Sequence, residues 1–148
     1  MKKIILGLSF LLAGVYSASA QKKEKLEVDQ VPAEIHIFVK KNYPNPEIKK
    51  AYLDAEELDN INYDITLKNK VELEFDKKFR LQEIESKKGV TLALIPKDIV
   101  QYVSEHYPGQ VITEWSHDKE EKEQEVVLKN KTKLKFNSRG KFISAEIK

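Results

Sequence analysis

The segment V-P-A-E-I-H-I-F-V-K-K-N-Y-P, from Val31 to Pro44, returns 64 residues later as I-P-K-D-I-V-Q-Y-V-S-E-H-Y-P, from Ile95 to Pro108. An internal repeat restricts the fold more than any other feature, because each copy must be one supersecondary unit and the two must share a core. Pro32, Ile35, Val39, Tyr43 and Pro44 are matched identically by Pro96, Ile99, Val103, Tyr107 and Pro108. L-K-N-K at Leu67–Lys70 recurs at Leu128–Lys131, now offset by 61, and Leu73 and Phe75 match Leu134 and Phe136. Phe79, Glu83 and Ile84 align with Phe142, Glu146 and Ile147 at an offset of 63. The offset changes only where turns are expected, as insertions should.

Each copy has the same local grammar. Pro32 and Pro96 suit the first turn of a helix, where a missing N–H costs nothing. Ile35, Phe38 and Val39, like Ile99, Tyr102 and Val103, have the i, i+3, i+4 spacing of one buried stripe. Pro44 and Pro108 stop each helix near Asn42 and His106. A helix of about three turns needs a sheet to lie on. The period then switches to two. Ile61, Tyr63, Ile65 and Leu67 alternate with polar residues, as do Val71, Leu73 and Phe75; Val126, Leu128, Thr132, Leu134 and Phe136 repeat the pattern. Asn69-Lys70 and Asn130-Lys131 read as two-residue hairpin turns, where Asn tolerates positive φ. Further strands are expected over Ile48–Leu53, Val111–His117, Phe79–Glu85 and Phe142–Ile147. The expected fold class is α+β: two tandem helix-plus-four-strand repeats forming an antiparallel sheet, with helices on one face and the other face open.

Ahead of the repeats, Lys2 and Lys3 precede an apolar run from Ile4 to Val15 and the small residues Ser17-Ala18-Ser19-Ala20. That is the pattern of a secretory signal peptide over residues 1–20, cleaved after Ala20, too short for a membrane anchor. Position 21 is Gln, so the cysteine of a bacterial lipoprotein is missing. The expected product is periplasmic and not inserted in a membrane. Its organisation is a flexible lead-in at 21–30, a first repeat with its linker at 31–94 and a second repeat at 95–148. Two of the 26 Lys+Arg are Lys2 and Lys3, and residues 1–20 contain no acid, so residues 21–148 carry 24 basic and 24 acidic side chains. The apparent basicity belongs to the leader, and nucleic-acid binding is not expected.

The motif P-x-x-I-x-x-(F/Y)-V-x-x-x-Y-P followed by L-x-N-x-x-x-L-x-F-(D/N), a basic turn and Phe resembles the PepSY-like family of exported bacterial proteins, also described as beta-lactamase-inhibitor-like. The resemblance covers Val31–Lys148, both copies. It implies a two-layer arrangement like that of the beta-lactamase inhibitor protein and a non-catalytic binding role. Family members often carry Gly where Lys70 and Lys131 stand here, a departure that bears on the hairpin turns.

The residues offer little for catalysis. The chain has no cysteine, none of its five glycines makes a phosphate-cradling loop, and no serine stands near a base–orienter pair. His36, His106 and His117 lie in no metal-ligand spacing, and the acidic group Asp54, Glu56, Glu57 and Asp59 lacks the spacing of a calcium loop. No cofactor or metal is expected. What remains is a surface. Trp115, the only tryptophan, stands in T-E-W-S-H-D opposite Ala51 of the first copy. Trp115, Tyr52, Tyr63 and His117 are the candidate partner-binding residues, exposed aromatic groups being typical anchors; alternatively Trp115 packs at the seam between copies or under a helix. Outward Glu72 and Glu74 correspond to Lys133 and Lys135, so the open face is bipolar. The leading expectation is an exported, non-enzymatic module that binds or inhibits an envelope protein or peptide through this face, as a monomer or weak homodimer. The alternative is an envelope small-ligand or metal-ion sensor using the acidic hairpins around Asp54–Asp59 and Asp118–Glu125.

Overall fold

Pro32 and Pro96 occupy the cap positions of two helices of equal length, α1 (Ala33–Asn42) and α2 (Lys97–His106), with nearly the same φ of −52°. The computed structural model describes residues 23–45, 47–57 and 60–147, without the side chains of 56 and 57. The expected signal peptide and most of the acidic group Asp54–Asp59 therefore lie outside the described residues. The helices end where the sequence predicts, each with the tyrosine N–H of Tyr43 or Tyr107 donating to a valine carbonyl, Val39 or Val103.

Among the described residues nine antiparallel strands form one sheet in chain order. They are β1 (Lys23–Leu26), β2 (Ile48–Glu57), β3 (Asn60–Leu67), β4 (Glu72–Asp76), β5 (Leu81–Glu85), β6 (Ile112–Asp118), β7 (Glu123–Leu128), β8 (Thr132–Asn137) and β9 (Phe142–Ile147). Both helices cover one face. Ile35, Val39, Ile99 and Val103 sink into a core with Ile65, Leu73, Phe75, Val126, Leu134 and Phe136. Each copy locks its helix to its central hairpin by the same edge-on ring contact, Phe38 on Phe75 at 5.1 Å and Tyr102 on Phe136 at 5.4 Å. Such pairs add about 0.5–1.5 kcal/mol beyond burial.

Three expectations are corrected. Within the expected flexible lead-in, the described residues 23–30 are structured: β1 pairs with β2, placing Leu26 beside Ala51, and a single 3-10 turn follows at Val28–Gln30. K-E-K-L is too short to show alternation, yet β1 does for β2 what β5 does for β6. The hairpin loops have three residues, not two. Leu67 accepts from the Lys70 N–H, and its own N–H donates to Val71, leaving Lys68-Asn69-Lys70 as the loop with Lys70 at φ 69°. Lys131 repeats this at φ 71°. The left-handed conformation falls on the lysine, while Asn69 and Asn130 use their side-chain oxygens to accept from Val71 and Thr132 N–H groups. Finally, Phe79 is not the counterpart of Phe142. It stands at φ 60° in the β4–β5 turn, where the second copy has Gly140, and the partner of Phe75 is Leu81 just as that of Phe136 is Phe142. The offset of 61 thus persists through β5 and β9.

The copies are joined by β5 and β6, through the pairs Glu83 with Ser116, Ile84 with Trp115 and Glu85 with Glu114. The linker before α2 turns at Gly89 and hydrogen-bonds β6 through the Val90 N–H to the Ile112 carbonyl.

Candidate functional site

Alternation along the strands sends one set of side chains to the helices and the other to the uncovered face. Because Ile65, Leu73 and Ile84 are core residues, their neighbours Asp64, Glu74 and Glu83 face outward, and register sets these three side by side across β3, β4 and β5. One step along, Glu72, Glu85 and Glu114 form a second row across β4, β5 and β6. Like charges directly opposite one another destabilise a sheet. Here six carboxylates are grouped in that way around the boundary between the copies.

Their neutralisation is uneven. Lys23 of β1 reaches over β2, 2.9 Å from Asp64 Oδ2 and 3.6 Å from Asp54 Oδ2. Glu74 and Glu83 take part in no ion pair among the described residues. Burial pushes Glu83 up to about 7, and the charges of Glu74, Glu114, Glu85 and Asp64 push in the same direction. Burial also raises Glu74, with Asp64 adding to it and Lys23 opposing it. Tyr52, Asp64, Thr66, Glu72, Glu74 and Glu83 edge a shallow depression of about 310 Å³. At the far end the second copy balances itself: Lys133 pairs with Glu125 at 2.9 Å and Lys135 with Glu123 at 3.8 Å.

Of the four aromatic candidates, the structure leaves one on this face. Tyr52 pairs with Asp64 and points outward. Trp115 is only 7% exposed, between Ile84 and Val126 under the helices, its Nε1–H donating to Gln124 Oε1 at 3.1 Å. It is a core residue at the seam, because its β6 position has the parity of Ile84. Tyr63 has the parity of Ile65 and packs on Phe79 at 5.6 Å, so it too lies on the helix side. His117 shares the side of Trp115 and pairs with Gln124. The hairpin carboxylate Asp118 accepts from the N–H groups of Glu120 and Glu121, which employs it in the turn. Among the described residues no three acidic or histidine side chains converge closely enough to hold a metal ion.

The sequence alone shows half of the acidic rows. Glu72 and Glu74 alternate with core residues, but Glu83, Glu85 and Glu114 belong to strands whose faces the sequence does not assign. The β4–β5 register sets Glu83 and Glu85 beside Glu74 and Glu72, and the β5–β6 pairing, which joins residues about 30 apart in two different copies, adds Glu114.

The fold and face together define a duplicated helix-on-sheet module, and the family comparison finds the same duplication. The model of the family described as "Putative beta-lactamase-inhibitor-like, PepSY-like" matches residues 8–83 and again 82–144, and the chain belongs to that family. Among solved structures it is similar to a "putative periplasmic protein" of the DUF2874 family from Bacteroides vulgatus, at 27% identity over 86% of this chain and 98% of that one, with a TM-score of 0.77. It is also similar to a "putative calcium-regulated periplasmic protein" from Bacteroides thetaiotaomicron, at 30% identity over 84% and 96%, with a TM-score of 0.76. No curated protein matches. Among the described residues no helix is long and apolar enough to cross a membrane.

Proposed function

We propose that this chain is an exported, non-enzymatic binding module of the periplasm, released by cleavage after Ala20, whose open sheet face takes a cationic segment of a protein or peptide partner. The observation that carries the reading is the pair of carboxylate rows, Asp64–Glu74–Glu83 and Glu72–Glu85–Glu114, kept together against their mutual repulsion. A partner bringing Lys or Arg side chains relieves that repulsion on docking, which gives both attraction and orientation. The basic-apolar-small leader supports export, as does the periplasmic description of the similar structures. The family's inhibitor-like description agrees with binding rather than turnover.

A calorimetric titration of Gln21–Lys148 with an extended lysine-rich peptide tests this. Saturable binding that weakens steeply with salt and is lost in Glu74→Gln/Glu83→Gln supports it. Absence of binding, or binding that the double variant leaves unchanged, overturns it. A second reading, calcium binding at the same face, is favoured by the description of the Bacteroides thetaiotaomicron relative. Calcium takes about 6–8 oxygen ligands at roughly 2.3–2.6 Å, and carboxylates spread over flat strands do not supply that shell without rearranging. Heat on titrating calcium with none from the peptide selects this second reading.

A further inference from the structure

The two edges of the sheet are built differently. β1 is four residues long and presents Lys23, Glu24 and Lys25, the charged, short edge by which sheets resist pairing. β9 is longer and carries a single charge, Glu146, against three on β1. It reads F-I-S-A-E-I, with Phe142 40%, Ile143 48% and Ile147 84% exposed, and among the described residues no strand lies on its outer side. A bare apolar edge is a template for another strand.

We infer that β9 pairs with β9 of a second copy, antiparallel about a two-fold axis at Ala145. The sequence of β9 is self-complementary in that register. Ile143 falls opposite Ile147 of the second copy, and by symmetry Ile147 opposite Ile143, so the exposed isoleucines cover each other. Ser144 falls opposite Glu146. On the open face, Lys135 neighbours Ser144 and Lys133 neighbours Glu146 within one chain. Across the junction the row therefore runs Lys135, Ser144, then Glu146 and Lys133 of the second copy. No two like charges stand opposite each other, in contrast to the acidic rows at the centre of the sheet. The same strand against β1 would form an open, head-to-tail chain, and the lysines of β1 are already committed to Asp54, Asp64 and Glu27. A single strand pair buries little area, so the dimer is a weak, concentration-dependent one.

Sedimentation equilibrium of Gln21–Lys148 over a wide concentration range reads the association, and Ile147→Lys, at an exposed position, is expected to weaken it by about tenfold or more. The chain has no native cysteine, so Ala145→Cys adds a single reporter at the axis, where paired Cα atoms stand about 4.5–5.5 Å apart. Mild oxidation is expected to convert Ala145→Cys to a disulfide-linked dimer and to leave Lys25→Cys on β1 monomeric. A strictly monomeric chain overturns the inference. So does a dimer unaffected by Ile147→Lys, or one captured through Lys25→Cys and not through Ala145→Cys.

Discussion

Glu74 and Glu83 stand directly opposite each other on neighbouring strands of an uncovered sheet face, with no cation paired to either among the described residues. The sheet holds this pair because Leu73 and Ile84, their neighbours on the helix side, are both fully in the core. Burial of the isoleucine and leucine outweighs the repulsion, each such side chain contributing about 1.5–3 kcal/mol against about 1 kcal/mol for a like-charge pair.

Burial of Glu83, with that repulsion added to it, has a pH signature. Glu83 holds its proton up to about 7, above the ordinary carboxylate value. Between that value and the ordinary one the folded chain binds more protons than the unfolded chain, so its contribution to stability falls as pH rises through this window. Glu83→Gln is expected to be more stable than the parent at pH 8, by up to about 1 kcal/mol after solvent screening, and equal to it near pH 4. Urea denaturation at the two pH values measures this; no difference at pH 8 refutes it.

Asp76 behaves in the opposite sense. It is buried between the copies, with Lys119 Nζ 2.5 Å from its Oδ2, Arg80 Nε 2.9 Å from the same oxygen, and the N–H groups of Lys78 and Arg80 donating to Oδ1. Burial pushes its carboxyl up, but the bonds from Lys119 and Arg80 outweigh it and hold the group well below the usual range. Its contribution is present at neutral pH and lost as pH falls below that range. Asp76→Ala is expected to cost about 2–3 kcal/mol, because it strands the turn N–H groups of Lys78 and Arg80 while Lys119 and Arg80 return to solvent. Asp76→Asn is expected to cost less, because Asn137 forms the same turn bonds to Arg139 and Lys141 in the second copy. Thermal denaturation ranks the two.

Trp115 reports on the seam. As the only tryptophan, and a buried one, it is expected to emit at short wavelength when folded and shift to the red on unfolding. Trp115→Ala is expected to cost about 3–5 kcal/mol, and Trp115→Phe less. Loss of partner binding in Trp115→Ala therefore has to be read against its stability. Red-shifted emission from the native chain contradicts the placement.

Lys70 and Lys131 occupy left-handed conformations in exposed turns. Left-handed backbone costs a residue with a Cβ about 1–2 kcal/mol, and glycine returns about half of that in chain entropy. Lys70→Gly and Lys131→Gly are each expected to stabilise the fold by roughly 0.5–1 kcal/mol, additively because the turns are separate. Chemical denaturation of the double variant checks both size and additivity.

The sequence determined the units. Proline-bounded helices with Ile35 and Val39, or Ile99 and Val103, on one side, and period-two strands carrying Leu73 and Phe75 or Leu134 and Phe136, are consequences of local geometry that repeat wherever the residues repeat. It also distinguished Glu72 and Glu74 from Lys133 and Lys135. Tertiary structure decided what touches across the units. β1 became a strand only because β2 offers an edge beside Ala51, and Trp115 went inward because β6 pairs with β5 at Ile84. The β4–β5 register brought Glu83 and Glu85 beside Glu74 and Glu72, and the β5–β6 pairing added Glu114. Strand faces with imperfect alternation are set by register against a neighbour, and a shift of one residue reverses every side chain. That information is carried by the pair of strands and is absent from either alone.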